Sequence, residues 1–114
     1  MQLSDRLNAI FYLIIQKKEV ARIDEFYEPD YVEYINGQKF NLSDLKQRIA
    51  GQVQTTVQIL KGTDIENGSQ VASKHELIIE DSSRQTRRTA SVIGIFEFSD
   101  RARLRACHEV VAFH

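Results

Sequence analysis

The sequence predicts an α+β domain in which a curved antiparallel sheet wraps around three N-terminal helices. The first half of the chain carries apolar residues at helical spacing. Residues 55–113 instead alternate between apolar and polar side chains with the period of two that is typical of strands. Helices followed by long strands favour a sheet whose concave face holds the helices. We therefore predict one domain over residues 1–114, with four strands in its second half.

The three helices are predicted from their apolar faces and their end signals. Ser4 is the candidate N-cap of the first helix. Pro29 is expected to stop the second, because proline lacks the amide donor and clashes with the preceding turn. The third is expected to begin at Asn41 or Ser43. The inward residues predicted for the three helices in turn are Leu3, Leu7, Ile10, Phe11, Ile14 and Ile15; Val20, Ile23, Phe26 and Tyr27; and Leu42, Leu45, Ile49 and Val53.

Turn signals separate the predicted strands. Residues 31–35 alternate with period two and end at Asn36-Gly37, so they predict one short strand before the third helix. Residues 66–69, Glu-Asn-Gly-Ser, form the strongest hairpin signal in the chain. The next strand is expected over Thr86–Phe98, and residues 99–102 turn the chain into the last one.

Composition argues against several classes of protein. Fifteen Lys and Arg against sixteen Asp and Glu give a net charge of -1, which offers no electrostatic case for nucleic acid or an anionic membrane. The longest apolar run, residues 10–15, is too short to span a bilayer. The N-terminus lacks the basic segment of a signal peptide, and Cys107 is the single cysteine. We therefore expect a cytoplasmic protein that binds neither membrane nor nucleic acid.

Two stretches of the chain are similar to motifs of a known superfamily. Residues 26–34 read Phe-Tyr-Glu-Pro-Asp-Tyr-Val-Glu-Tyr, and residues 92–110 contain Val-Ile-Gly-Ile-Phe-Glu-Phe-Ser-Asp followed by Arg-Leu-Arg-Ala-Cys-His-Glu-Val. They resemble the passage after the second helix and the long hairpin of the nuclear transport factor 2-like superfamily. Within it, the resemblance is to the SnoaL-like branch of polyketide cyclases, ketosteroid isomerases and limonene epoxide hydrolases. It implies one SnoaL-like domain with a conical pocket and a convex face often used for dimer formation.

The same resemblance implies positions for catalytic residues, and the residues found there differ from those of the family. Gly94 stands where the polyketide cyclases place an acid–base aspartate. Tyr34 and Phe11 align with the aspartate and the oxyanion-hole tyrosine of the isomerases, although Tyr12 is adjacent to Phe11. The Arg-x-Asp pair of the epoxide hydrolases falls on His75-x-Leu. None of the three constellations is therefore intact, and the fold alone does not specify an activity.

Strand parity and the alignment place Tyr34, His75, Phe96, Phe98 and His108 towards the pocket. His75 and His108 could serve as general acid and base, because imidazole titrates near neutral pH; packed core histidines are the alternative. Tyr34 could donate a hydrogen bond to a ligand carbonyl, or it could cover the core as a rim aromatic. With Phe11, Phe96 and Phe98 these residues form the predicted ligand site.

Arg88 is a further candidate for ligand binding. If it points inward, its planar guanidinium suits a carboxylate or phosphate, whereas an exposed arginine would protect the strand from aggregation. A β-bulge between residues 86 and 91 would reverse which arginine faces inward. We expect no metal and no cofactor, because parity puts the remaining metal-ligand candidates Glu76, Cys107 and Glu109 outside the pocket.

Two functional hypotheses remain. The first is a protein that binds a small, largely apolar ligand in the conical pocket, since the catalytic aspartates of the relatives are absent. The alternative is an isomerase, cyclase or hydrolase that acts on a small carbonyl compound, with proton transfer by His75 and His108. In either case a homodimer through the convex face is expected, because apolar side chains are predicted there and a two-fold axis pairs a patch with itself. These predicted convex residues are Ile78, Ile93, Ile95, Val111 and Phe113.

Overall fold

A computed structural model of the protein describes residues 2–114 as a six-stranded sheet with helices packed against one face. The strands are β1 (Tyr27–Ile35), β2 (Gln38–Asn41), β3 (Thr55–Asn67), β4 (Gln70–Asp81), β5 (Thr86–Phe98) and β6 (Leu104–Phe113). Their order is β2-β1-β6-β5-β4-β3, antiparallel throughout except that β1 runs parallel to β6. The α+β prediction is confirmed, and the one short strand predicted at residues 31–35 is part of the β1–β2 hairpin.

The helices form the layer on the concave face. α1 (Leu3–Ile10) continues as a π-helical stretch, Phe11–Gln16, and a 3-10 turn, Val20–Arg22, leads into α2 (Ile23–Phe26). The N-cap position of α1 is held by Gln2, so the prediction of Ser4 is wrong. α2 ends before Pro29, which lies in β1 at a register shift of the β1–β6 pairing. A proline is tolerated there because no ladder hydrogen bond is lost.

α3 (Leu42–Ala50) has a well-defined start. Asn41 accepts a hydrogen bond from the Asp44 amide at 2.9 Å, and Asp44 returns one from the Asn41 amide at 2.9 Å. This capping box selects Asn41 over Ser43 as the N-cap. Val53, predicted to point inward, is 85% exposed because the helix ends at Ala50 and Val53 lies beyond it.

The core fills the space between the helices and the concave face. Every helix contributes to it, and so do β1, β4, β5 and β6. No helix among residues 2–114 is long and apolar enough to cross a membrane. The buried apolar side chains with the least exposure include Leu7, Ile10, Ile14, Ile23, Leu45, Val71, Val92, Phe98, Leu104 and Cys107.

A bulge at Arg105 decides which β6 residues face the core. Leu104 pairs with Phe98 and Ala106 with Glu97, so Arg105 has no partner on β5. One inserted residue reverses the alternation of side chains beyond it. Beyond the bulge, the odd-numbered residues of β6 from Cys107 onward therefore face the helices.

We expect Asn41→Ala to lower the free energy of unfolding by about 1 kcal/mol, because the Asp44 amide loses its capping acceptor. Urea denaturation followed by circular dichroism measures this. Ser43→Ala is the matched control on the same exposed turn and should change stability by less. Equal effects of the two substitutions would contradict the capping assignment.

Candidate functional site

A partly open cavity of about 310 Å³ lies between the concave face and the helices. Its volume is at the lower end of the range for small-molecule pockets. Most of its walls are apolar side chains, among them Phe11, Ile59, Leu77 and Phe96. The polar residues that line it are Tyr27, Tyr31, Glu33, Asn36, Arg48, Gln52, His75 and Glu109.

A buried, hydrogen-bonded polar group in the cavity is built around Glu33, whose side chain is 3% exposed. Its Oε1 accepts a hydrogen bond from the Tyr31 hydroxyl at 2.8 Å, and its Oε2 accepts one from Arg48 Nη1 at 2.7 Å. Tyr31 and Glu33 are two residues apart on β1 and therefore share the concave face. Arg48 reaches them from α3. We call these residues the Tyr31–Glu33–Arg48 cluster.

Burial and pairing set the charges of this cluster. Burial raises the pKa of Tyr31 well above its usual range, and it does the same for the neighbouring Tyr27, so both phenols keep their protons. Burial lowers the pKa of Arg48, but the hydrogen bond and charge of Glu33 outweigh this and the net pKa is raised. The cluster and the neighbouring Tyr27 thus combine two neutral hydroxyls with a guanidinium that remains charged.

Glu109 lines the same cavity from β6. Burial raises the pKa of its carboxyl and the charge of Glu33 adds to this, while the Cys107 thiol and Arg48 act in the opposite direction. The group therefore holds its proton to a higher pH than an ordinary glutamate. Such a carboxyl can donate a proton and take it back within an accessible pH range.

Gly94 leaves the space that the Glu109 side chain uses. The two residues are directly opposed in the β5–β6 register. A Cβ at position 94 would lie 2.9 Å from a ring carbon of Phe96 and 3.0 Å from Cγ of Glu109. Gly94 stands at the position aligned with the cyclase aspartate, and the residue opposite it on β6, Glu109, carries a carboxyl instead.

His75 lines the cavity as predicted and is 3% exposed. Its Nδ1 lies 3.2 Å from the Ser73 hydroxyl, and its ring packs on Phe11 with 4.8 Å between centroids. Burial lowers the pKa of His75 to about 4, and the charge of Lys61 contributes. The imidazole is therefore neutral at neutral pH, which suits a hydrogen-bonding role better than proton exchange.

Tyr34 and His108 do not face the cavity, and their predicted placement is wrong. Their rings stack on the convex face with 4.8 Å between centroids and 11° between planes. The bulge at Arg105 explains why His108 faces away from the cavity. On β1, the odd-numbered residues Tyr31 and Glu33 occupy the concave face in place of Tyr34. Since His75 and His108 lie on opposite faces, they cannot act together on one ligand. The same parity error applies to Val111 and Phe113, which line the cavity, and to Cys107 and Glu109, which lie on the concave side.

The aromatic candidates and Arg88 divide between cavity, core and rim. Phe11 and Phe96 line the cavity and contact each other edge-to-face, with 5.5 Å between their ring centroids. Phe98 is 2% exposed and belongs to the core. Arg88 lies over the ring of Phe113, with 3.9 Å from its guanidinium carbon to the ring centroid. Whether any of them binds a ligand stays a prediction.

The Tyr31–Glu33–Arg48 cluster and the position of Glu109 in the cavity were not predicted from the sequence. The signal for the first two was present in the Tyr-Val-Glu spacing, because residues two apart on a strand share a face. Arg48 precedes the inward Ile49 on α3, a spacing that gives no indication of a partner on β1. For Glu109 the signal was hidden by the bulge.

No family model matches the sequence, and no curated protein matches it. Many solved structures do resemble it. A SnoaL-like polyketide cyclase from Agrobacterium tumefaciens has a TM-score of 0.77 at 14% identity, covering 98% of this chain and 93% of that one. The epoxide hydrolase/cyclase-like enzyme SalBIII, of pyran ring formation in the polyether salinomycin, has a TM-score of 0.82 at 13% identity, with coverages of 96% and 90%.

An LEH-like epoxide hydrolase from M. tuberculosis has the same architecture, with a TM-score of 0.78 at 15% identity, covering 96% of this chain and 82% of that one. Identities this low show the fold and leave the activity open. The chain therefore has the nuclear transport factor 2-like fold in its SnoaL-like form, as the sequence predicted.

We expect the stability of the protein to fall as the pH drops from about 6.5 towards 4. Over this range His75 binds a proton in the unfolded chain, whereas burial keeps it neutral in the folded protein. The contribution of neutral His75 to the free energy of unfolding is fully present above pH 6.5 and amounts to roughly 3 kcal/mol. Urea denaturation across this range should show a shallower pH dependence for His75→Gln. His114→Gln, at an exposed histidine, should keep the wild-type slope; the same slope in all three proteins would contradict the assignment.

Proposed function

We propose that the protein binds a small, largely apolar molecule in the cavity and transfers a proton on it through Glu109. The observation that carries this proposal is the position of Glu109 beside the Tyr31–Glu33–Arg48 cluster, in walls that are otherwise mostly apolar. An apolar cavity with a few convergent polar groups and a carboxyl of raised pKa is the usual description of an acid–base site.

Each member of the site has a distinct role in this proposal. Glu109 donates or accepts the proton, because burial brings its pKa closer to neutral pH. Arg48 uses one nitrogen on Glu33 and keeps further N–H groups that can donate to an oxygen of the ligand. Such donors stabilise negative charge as it develops on that oxygen. Glu33 holds Arg48 and Tyr31 in place.

The reaction class that fits is a proton transfer next to an oxygen function, as in an isomerisation, a cyclisation or the opening of an epoxide. Structures of the same fold are described as polyketide cyclases and epoxide hydrolases, which supports this class. The paired-histidine mechanism is not retained, because His108 lies on the convex face.

A non-catalytic ligand-binding module is the second candidate. Its supporting observation is that the aligned positions of the aspartates used by cyclases and isomerases hold Gly94 and Tyr34. The two candidates differ in one measurable property. A carboxylate base in a dry cavity accelerates proton abstraction from a suitable carbon acid, whereas a binding module holds the same molecule without turnover.

We expect the protein to accelerate the base-promoted ring opening of nitrobenzisoxazole, a small apolar compound that releases a coloured phenolate when its ring proton is removed. Glu109→Gln should lower the rate at least about tenfold, because a positioned base contributes this much or more. The rate should rise with pH as Glu109 loses its proton. Absorbance of the product measures both effects.

Glu76→Gln is the matched control, since Glu76 is an exposed glutamate on the convex side of β4. It should leave the rate unchanged. Binding of the compound without any acceleration over buffer would favour the non-catalytic module. A wild-type rate in Glu109→Gln would overturn the role of this residue.

We propose in addition that two copies associate through the convex face. Ile93, Ile95 and Val110 are 61%, 46% and 65% exposed on adjacent strands, and the stacked Tyr34 and His108 rings lie beside them. Apolar side chains gathered on one face favour an interface, and a two-fold axis would place this patch against itself. Val110 thus replaces Val111 and Phe113 in the predicted patch.

Ile93→Lys is expected to weaken this association by at least tenfold, because it places a charge at the centre of the apolar patch. Sedimentation velocity at micromolar concentration measures the proportion of dimer. Val53→Lys is the control, since Val53 is 85% exposed outside the sheet. A wild-type protein that sediments as a monomer would contradict the proposal.

A further inference from the structure

We propose that Arg88 binds an anionic group of the ligand at the edge of the cavity, so that the ligand class is an apolar molecule carrying one carboxylate, sulfonate or phosphate. This inference rests on the proposed function, in that the apolar part of the ligand occupies the cavity. The edge in question is formed by Ile79, Arg88 and Phe113, and we call it the mouth. Phe113 both lines the cavity and is 48% exposed, which places the mouth at the solvent boundary.

The strand register places Arg88 on the cavity side of the sheet. β4 and β5 pair without a shift from Thr86 to Glu97, so no bulge separates Arg88 from the residues that follow it. Arg88 therefore shares its face with Ala90 and Val92, which are both fully buried. Its partner across the ladder is Ile79, which lines the cavity.

Phe113 holds the guanidinium of Arg88 in position. The guanidinium carbon lies 3.9 Å from the centre of the phenyl ring, within the range of a cation–π contact. Stacking occupies a face of the guanidinium and leaves its N–H groups free at the edge. Within residues 2–114 no carboxylate pairs with Arg88 and no hydrogen bond engages its side chain. A fork of donors is thus available to an incoming anion.

The charges inside the cavity give the ligand an orientation. Elsewhere along the cavity two carboxyl groups, Glu33 and Glu109, accompany the single guanidinium of Arg48. An anionic group placed there would meet negative charge and lose water, so it is disfavoured. At the mouth the same group meets Arg88 and keeps contact with solvent. The apolar part of the ligand therefore points inward and its anionic group points outward.

Two fluorescent probes with the same apolar rings test this orientation. Anilinonaphthalene sulfonate carries one negative charge, whereas N-phenylnaphthylamine carries none. We expect Arg88→Gln to weaken binding of the sulfonate about fivefold, the size expected for an exposed ion pair, and to change binding of the neutral probe less than twofold. Fluorescence titration gives both dissociation constants.

Arg87→Gln is the matched control. Arg87 is the adjacent exposed arginine, but it points to the convex side, where it is paired in the register with Glu80. It should leave both dissociation constants within twofold of the wild type. Added salt should weaken sulfonate binding by the wild type and have a smaller effect on Arg88→Gln, because screening acts on the ion pair.

The outcomes separate this inference from the proposed function. Unchanged sulfonate binding in Arg88→Gln, with the neutral probe still bound, would overturn the role of Arg88 and leave the cavity proposal standing. Leu77→Trp narrows the cavity and should weaken the binding of both probes. If it weakens neither, or if the wild type binds neither, the cavity does not take such ligands and both proposals are contradicted.

Discussion

The site depends on the burial of one carboxylate, that of Glu33. A carboxylate removed from water costs several kcal/mol unless other groups compensate it. Here the compensation comes from Tyr31 on the same strand and from Arg48 on α3. The pairing fixes the distance between β1 and α3, and the Asn41 cap fixes where α3 begins. A helix started one residue later would turn Arg48 by about 100° away from its partner.

The interior shifts its titratable groups towards their neutral forms. Burial lowers the pKa of His75 and raises that of Glu109, because a dry surrounding disfavours charge of either sign. The exception is Arg48, whose pKa is raised because the hydrogen bond and the charge of Glu33 outweigh its burial. A histidine and a glutamate at one cavity wall thus reverse the roles that their ordinary pKa values would suggest. The proposed function therefore assigns the proton transfer to the glutamate and not to the histidine.

The sequence was sufficient to predict the architecture but not which residues form the site. Helical spacing, the Asn36-Gly37 and Gly68 turns and the length of the strands predict the elements, because each signal is local and repeated. The orientation of His108 and Glu109 depends instead on one unpaired residue, Arg105, in the register with β5. A bulge leaves no mark in the alternation of a mixed strand such as Arg-Ala-Cys-His-Glu-Val. The partnership of Arg48 with Glu33 is likewise tertiary, so no spacing rule could indicate it.

The parallel pairing of β1 with β6 has a consequence for the order of assembly. Glu33 stands beside Cys107 in that ladder, and Asn36 bonds both to the amide and to the carbonyl of Val111. Asn36 and Val111 are 75 positions apart along the chain. Contacts so distant in sequence form slowly, since a long loop must close before they stabilise anything. During synthesis on the ribosome, the cavity between β1 and the helices would therefore remain incomplete until β6 has been synthesised.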